Sequence, residues 1–244
     1  MMRAELDTES LARKIDVDPK TIERWITKNR VPHAKSRAKA AAVLGETQTY
    51  LWPDAFDEQQ RSEISESELV KIYHRRTQVD DDTWARLVDQ ADEHLDVLAL
   101  AGLFFPEQQR NLAKTLCQKA KSGTKVRILL GDPDGESVAR RGAEENIGAA
   151  MGAKVHNVLS FYESHADHDC FEIRFHDTTL YNSIYRFDDD MLVNSHIYGV
   201  HAAHAPVFWY RRLPGGALFE AYADSFDSIW FGAVRAWDRL GEAS

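Results

Sequence analysis

Leu95-Asp96-Val97-Leu98-Ala99-Leu100-Ala101 and, further on, Lys125-Val126-Arg127-Ile128-Leu129-Leu130 decide the fold. Both runs are short and apolar, as buried strands are. Between them Pro106 and Glu107 open a helix with Leu112, Leu116 and Cys117 along one side, closed by Gly123. Strand, helix, strand at this spacing is a βαβ unit and predicts a parallel pair. Upstream, Asp82 caps a predicted helix containing Trp84, Leu87, Val88 and Ala91. Downstream, the turn at Gly131-Asp132-Pro133-Asp134-Gly135 leads into a helix over 136–150, with a turn at Gly152. Cys170 to Phe175, Leu180 to Phe187, Met191 to His196 and Pro206 to Leu213 read as strands, with Asp188-Asp189-Asp190 as a hairpin turn. A last helix over 218–237 places Tyr222, Phe226, Ile229 and Trp230 on its inner face. This part of the chain is α/β with a mixed sheet.

The rest of the chain differs in charge. The 244 residues carry a net charge of −9, with 43% hydrophobic and 28% charged residues, which excludes a disordered or fibrous chain. Through Leu44 there are ten Lys and Arg against six Asp and Glu, a balance of +4, so the remaining 200 residues hold −13. A small basic head on a large acidic body is the distribution expected of a DNA-binding module joined to a second domain. The apolar runs are too short and too charged to span a bilayer, and no basic-then-apolar leader stands at the N-terminus. Only Cys117 and Cys170 are present, both in apolar or mixed segments, so the expectation is a cytoplasmic protein without a disulfide.

In the head, Asp7 and Thr8 precede a short helix with Leu11, Ala12 and Ile15 on one face. Asp16-Val17 breaks it, and Asp18 with Pro19 starts a second helix. There Ile22, Trp25 and Ile26 share one face, and Lys20, Arg24 and Lys28 lie opposite with Thr21 and Thr27 beside them. Helix, tight turn, helix with a basic outer stripe is a helix-turn-helix pattern. The run from Leu11-Ala12 through Val17-Asp18-Pro19-Lys20-Thr21-Ile22-Glu23-Arg24-Trp25-Ile26 resembles the core of lambda-repressor-like (XRE-type) bacterial regulators. Arg30-Val31-Pro32-His33, Arg37 and Ala41-Ala42-Val43-Leu44-Gly45 are similar to the next helix of that family. Tyr50-Leu51-Trp52-Pro53 resembles a subgroup in which this head precedes an uncharacterised C-terminal domain. The resemblance implies that Lys20, Thr21 and Arg24 face base edges, while Lys28, Arg30, His33 and Arg37 face phosphates. The family usually has a full helix before this pair, and Met1 to Leu6 leave little room for one. The implied organisation is a head over 1–54, a polar linker or loosely packed helix over 55–68 and a second domain over 69–240.

The second domain resembles one half of the phospholipase D-like fold through Gly123-Thr124-Lys125-Val126-Arg127-Ile128-Leu129. Where that superfamily carries His-x-Lys-x-x-x-x-Asp, this chain has Tyr181-Asn182-Ser183-Ile184-Tyr185-Arg186-Phe187-Asp188, so only Asp188 matches. The chemistry needs an imidazole nucleophile and a cation for the phosphate oxygens, and a phenol with a pKa near ~10 replaces neither. The resemblance therefore implies a catalytically inactive domain that senses a ligand or forms a homodimer, with no cofactor. Its geometry implies a ligand site of Tyr181, Ser183, Asp188, Asn194, His196 and Tyr198, with Arg127 and Arg174 neutralising an anionic ligand. Strand alternation places Tyr181, Ser183 and Tyr185 on one face and Asn182, Ile184 and Arg186 on the other. His165, His168 and His176, around Asp167, Asp169 and Cys170, have spacings that can hold Zn²⁺, but no Cys-x-x-Cys pair supports a metal, and the expectation is a solvated loop before a strand. The expected partners are an operator in double-stranded DNA, a second copy of the chain and a small molecule, with no membrane. A phosphodiesterase or nuclease and a metal-responsive repressor are the alternatives.

Overall fold

The computed structural model describes residues 7–46, 48–52, 55, 58–109, 111–166 and 170–241. They form two compact units, one of residues 1–68 with 213–218 and the other of residues 69–212 with 219–244.

The first unit is helical: α1 (Thr8–Ile15), α2 (Pro19–Thr27), α3 (Ala34–Leu44), α4 (Gln48–Leu51) and α5 (Glu58–Ser67). The caps act where the sequence places them. The Asp7 carboxylate accepts from the Ser10 N–H at 2.7 Å and that of Asp18 from the Lys20 N–H at 2.8 Å, so each helix start has a partner for an otherwise orphaned donor. Asp16 closes α1 in the left-handed region at φ 61°, and Gly45 closes α3 in the same way. Leu11, Ala12, Ile15, Ile22, Trp25 and Ala40 make the core, and Trp52 packs edge-on against Trp25 at 5.8 Å. Ile26, expected on the buried face, is 55% exposed. The polar stretch read as a linker contains α5. At its end the buried Glu68 carboxylate accepts from the Leu218 N–H at 2.8 Å, and a Cβ at Gly216 would collide with it. This return segment is not signalled in the sequence.

The second unit contains β1 (Leu69–Tyr73), α6 (Asp81–Gln90), β2 (His94–Ala99), α7 (Phe104–Gln108), α8 (Leu112–Lys121), β3 (Lys125–Gly131), α9 (Glu136–Glu144), α10 (Ala150–Ala166), β4 (Glu172–His176), β5 (Asn182–Phe187), β6 (Asp190–Ser195), β7 (Val207–Arg211), α11 (Leu218–Gly232), β8 (Val234–Arg235) and α12 (Ala236–Gly241). The sheet order is β1-β7-β6-β5-β2-β3-β4-β8. The predicted pair β2–β3 is parallel, as is β3–β4, and the other pairings are antiparallel. The mixed α/β sheet is thus as the sequence implies.

Alternation divides the core in two. Leu95, Val97, Tyr185 and Phe187 join Trp84, Leu116 and Val155 on one face of the sheet. Leu98, Ile184, Met191 and Val193 meet Phe219, Phe226 and Trp230 of α11 on the other.

Several expectations are corrected. Asp80, not Asp82, caps α6, accepting from the Thr83 N–H at 2.7 Å. The predicted helix from Pro106 to Gly123 is broken between α7 and α8, where Asn111 takes φ 59°. Gly152 lies inside α10, where a Cβ would stand 2.7 Å from the Pro133 carbonyl oxygen, so it marks a close approach and not a turn. β1 and β8 were not foreseen, and β8 interrupts the predicted last helix. Cys117 and Cys170, expected as free thiols, form a disulfide; α8 and the approach to β4 bring their Cα atoms to 4.8 Å across 53 residues of sequence.

Candidate functional site

In the first unit α2 exposes Lys20, Arg24 and Lys28 along one side, with Thr21 partly covered beside them. The packing that creates this surface is the inward set Ile22 and Trp25. Arg30 and His33 are exposed, and His33 stands at the N-cap position of α3 without a side-chain capping bond. Arg37 is partly buried, and its Nη1 donates to the Pro32 carbonyl at 3.0 Å, holding the turn into α3. Lys20, Thr21 and Arg24 therefore lie along one side of α2, with Lys20 and Arg24 exposed and Thr21 partly covered.

The second unit contains a cavity of about 220 Å³, lined among others by Arg76, Phe104, Arg141, Lys154, Ser183, Tyr185, His196 and His201. Ser183 pairs across the sheet with Asn194, and Asn194 is fully buried with its amide donating to the Pro206 carbonyl at 3.1 Å. His196 follows at the end of β6. Its Nδ1 lies 3.2 Å from the Leu180 carbonyl, which can only accept, so Nδ1 carries the proton. Nε2 then accepts from the Ser183 hydroxyl at 2.9 Å. Burial, reinforced by the Arg141 charge, pushes the imidazole down to about 4, so it is neutral at pH 7.

Two guanidiniums stand nearby in different states. Arg141 is saturated: it donates to Glu145 at 2.8 Å, to Glu144 at 3.3 Å and to the carbonyls of Ile197 and Val200 at 3.2 and 2.8 Å. Arg76 lies 3.8 Å over the Phe104 ring, and Nη1 reaches the Asn194 Oδ1 at 3.5 Å. Among the described residues no carboxylate lies within ion-pair distance of Arg76. Burial lowers its pKa from the ordinary arginine value.

Of the eight residues read as a ligand site, Ser183, Asn194 and His196 come together on this wall. Tyr181 and Tyr198 are 79% and 81% exposed near the same strand ends. The expected convergence fails for the other three. Asp188 is at the far end of β5 from Ser183, roughly 17 Å away at strand rise. There, at φ 51°, its carboxylate accepts from the N–H groups of Asp92, Glu93 and His94 at 2.8, 2.8 and 2.6 Å. Arg127 lies on the opposite face of the sheet, in ion pairs with Asp96 at 2.7 Å and Asp227 at 2.6 Å. Arg174 is held by Glu172 and the Trp230 carbonyl, both at 2.8 Å.

His176 is buried, accepts at Nδ1 from the Thr178 N–H at 3.2 Å and faces the Ala99 carbonyl with Nε2 at 3.4 Å. Asp167, His168 and Asp169 lie outside the described residues, as do Met1 to Leu6. Among the described residues no three His, Cys, Asp or Glu come together as metal ligands.

Sequence reasoning missed Arg76, Arg141 and Lys154. The pair Arg75-Arg76, one residue beyond the largely apolar run Leu69–Tyr73, is the available signal for the first.

A Ser-His pair suggests nucleophilic catalysis, but a productive base needs its imidazolium stabilised. Here the third partner is a neutral carbonyl, and the charges acting on the imidazole are the cations Arg141 and Arg76.

No family model and no curated protein matches the chain. Two solved structures align with the chain in part. TrmBL2, described as an archaeal chromatin protein with a novel mode of DNA binding, aligns at 14% identity over 90% of this chain and 72% of its own, with a TM-score of 0.45. Nuc from Salmonella typhimurium, a phospholipase D family member, aligns at 12% identity over 62% of this chain and 87% of its own, with a TM-score of 0.34. Among the described residues no helix is long and apolar enough to cross a membrane.

Proposed function

We propose that this chain is a sequence-specific DNA-binding transcriptional regulator of the XRE type. In this reading its phospholipase D-like second unit is catalytically inactive, senses a small molecule and pairs the chain as a homodimer in the bacterial cytoplasm. The observation that carries the reading is α2, capped by Asp18 and anchored by Ile22 and Trp25, with Lys20, Thr21 and Arg24 turned outward. One such helix buries little surface on DNA, and two-fold operators suit two-fold proteins. Inactivity is supported by Tyr181 and Ser183 standing where a nucleophilic His and a Lys would be needed, and by the absence of a carboxylate from the Ser183–His196 pair. The cavity supports sensing, since a change in its occupancy has a route to DNA affinity only if it shifts the pairing of two copies.

Selection of bound DNA from a random library tests the reading, with Arg24→Ala as the comparison and salt as the second variable. The expected result is a motif of two half-sites, with Arg24→Ala losing discrimination by about 1–3 kcal/mol at one base pair of each half-site. Binding that is sequence-blind and equally salt-dependent in both proteins would reduce the head to a phosphate-holding module.

A further inference from the structure

We infer that the cavity of the second unit is a site for a small organic monocarboxylate whose carboxylate pairs with Arg76. The inference rests on the sensor reading only for its biological use; the chemistry stands on the cavity itself. Arg76 is a partly buried guanidinium with five donors, of which one reaches a long contact to Asn194. A cation drawn partly out of water is stabilised by a paired anion, which offsets the cost of its lost hydration. Around this cavity the carboxylates are committed elsewhere or out of reach. Glu145 is taken by Arg141 and by His201 at 3.1 Å, and Glu107 is exposed with no cation at ion-pair distance among the described residues. Glu145 attracts Arg76 without reaching ion-pair distance, so a direct partner for this guanidinium is an anion supplied from outside.

Charge and size narrow the class. The lining holds three cations, Arg76, Arg141 and Lys154, against two carboxylates, Glu107 and Glu145. The excess is a single positive charge, which matches a monoanion better than a phosphate dianion. At about 220 Å³ the cavity lies below the range of drug-sized sites. Leu103, Phe104 and Met151 give the lining an apolar part for the body of the ligand, and Ser183 and His196 a polar one. A short-chain or hydroxy monocarboxylate fits both parts.

The test is calorimetric titration of the full chain at pH 7 with propionate, butyrate and lactate, and separately with inorganic phosphate. Saturable binding of at least one carboxylate is expected, weakened ten-fold or more in Arg76→Gln and less in Arg76→Lys, which keeps the charge but not the fork. Should Arg76→Gln fail to fold, Lys154→Gln supplies the second arm: its side chain is only partly buried, an unaltered circular dichroism spectrum is expected, and binding should fall several-fold. Phosphate binding without carboxylate binding overturns the inference. So does the absence of binding up to about 10 mM, or carboxylate binding that is unchanged in both Arg76→Lys and Lys154→Gln. Operator affinity measured in parallel separates the two readings. Carboxylate binding that leaves DNA affinity unmoved refutes sensing but supports the site, whereas a working operator complex with no carboxylate binding refutes the site alone.

Discussion

The His196 imidazole is fixed between a carbonyl and a hydroxyl, so its proton is coupled to folding. Unfolded, a histidine titrates at about 6.5; folded, this one titrates at about 4. Between those values the unfolded chain binds a proton that the folded chain excludes. Stability is therefore flat above pH 6.5, falls as pH drops below it, and the loss is complete below about 4. The magnitude is at most about 3 kcal/mol. His176 and His94, also pushed down by burial, contribute with the same sign. Urea unfolding at pH 7, 5.5 and 4.5 should show this slope, and His196→Gln should make it shallower. An unchanged slope in the variant would mean that His196 is accessible to protons in the folded state.

At the scale of elements, the turn between β5 and β6 is tied to the start of β2 by one carboxylate. Asp188 satisfies three successive backbone N–H groups that no strand partner serves. Asp188→Ala should therefore lower the stability of the second unit by about 2–4 kcal/mol, measured by denaturant midpoint, while leaving carboxylate binding to the folded protein intact. Asp188→Asn, which keeps one acceptor oxygen, should cost less. The sequence made this residue conspicuous but suggested a wrong role. Its position in the degenerate motif is legible, whereas the direction of its side chain depends on a left-handed turn and on a strand some ninety residues earlier. The same distinction runs through the fold. Caps and periodicity made α1, α2, β2, β3, β5 and β6 readable, because each is specified by neighbours in sequence. β1 and β8 are edge strands whose existence depends on β7 and β4, and Arg76 becomes a site residue only when Phe104 and Asn194 are folded against it. Likewise nothing local distinguishes Arg127, locked under α11, from Arg76, which faces the cavity.

For the molecule as a whole, the bond between Cys117 and Cys170 ties α8 to the start of β4 and closes a loop of 53 residues. Such a cross-link stabilises mainly by restricting the unfolded chain, by about 2–4 kcal/mol. Dithiothreitol should lower the midpoint for unfolding of the second unit, and Cys117→Ser should reproduce that shift and abolish the response to reductant. An equal reductant effect in the variant would place the sensitivity elsewhere.

The order of synthesis gives the sheet edge a further meaning. β1 is among the first strands to leave the ribosome, yet β7, the strand it pairs with, begins only at Val207. At roughly 5–20 residues per second, β1 waits on the order of ten seconds with Tyr73, buried in the finished fold, still bare and its hydrogen-bonding edge open. The residues that complete the helical unit, 213–218, arrive later still. A nascent chain stalled before Val207 therefore carries the sequence of α1, α2 and α3 followed by an unpaired strand, so the synthesis of residues 74–207 is the interval in which that edge stays open to misassociation.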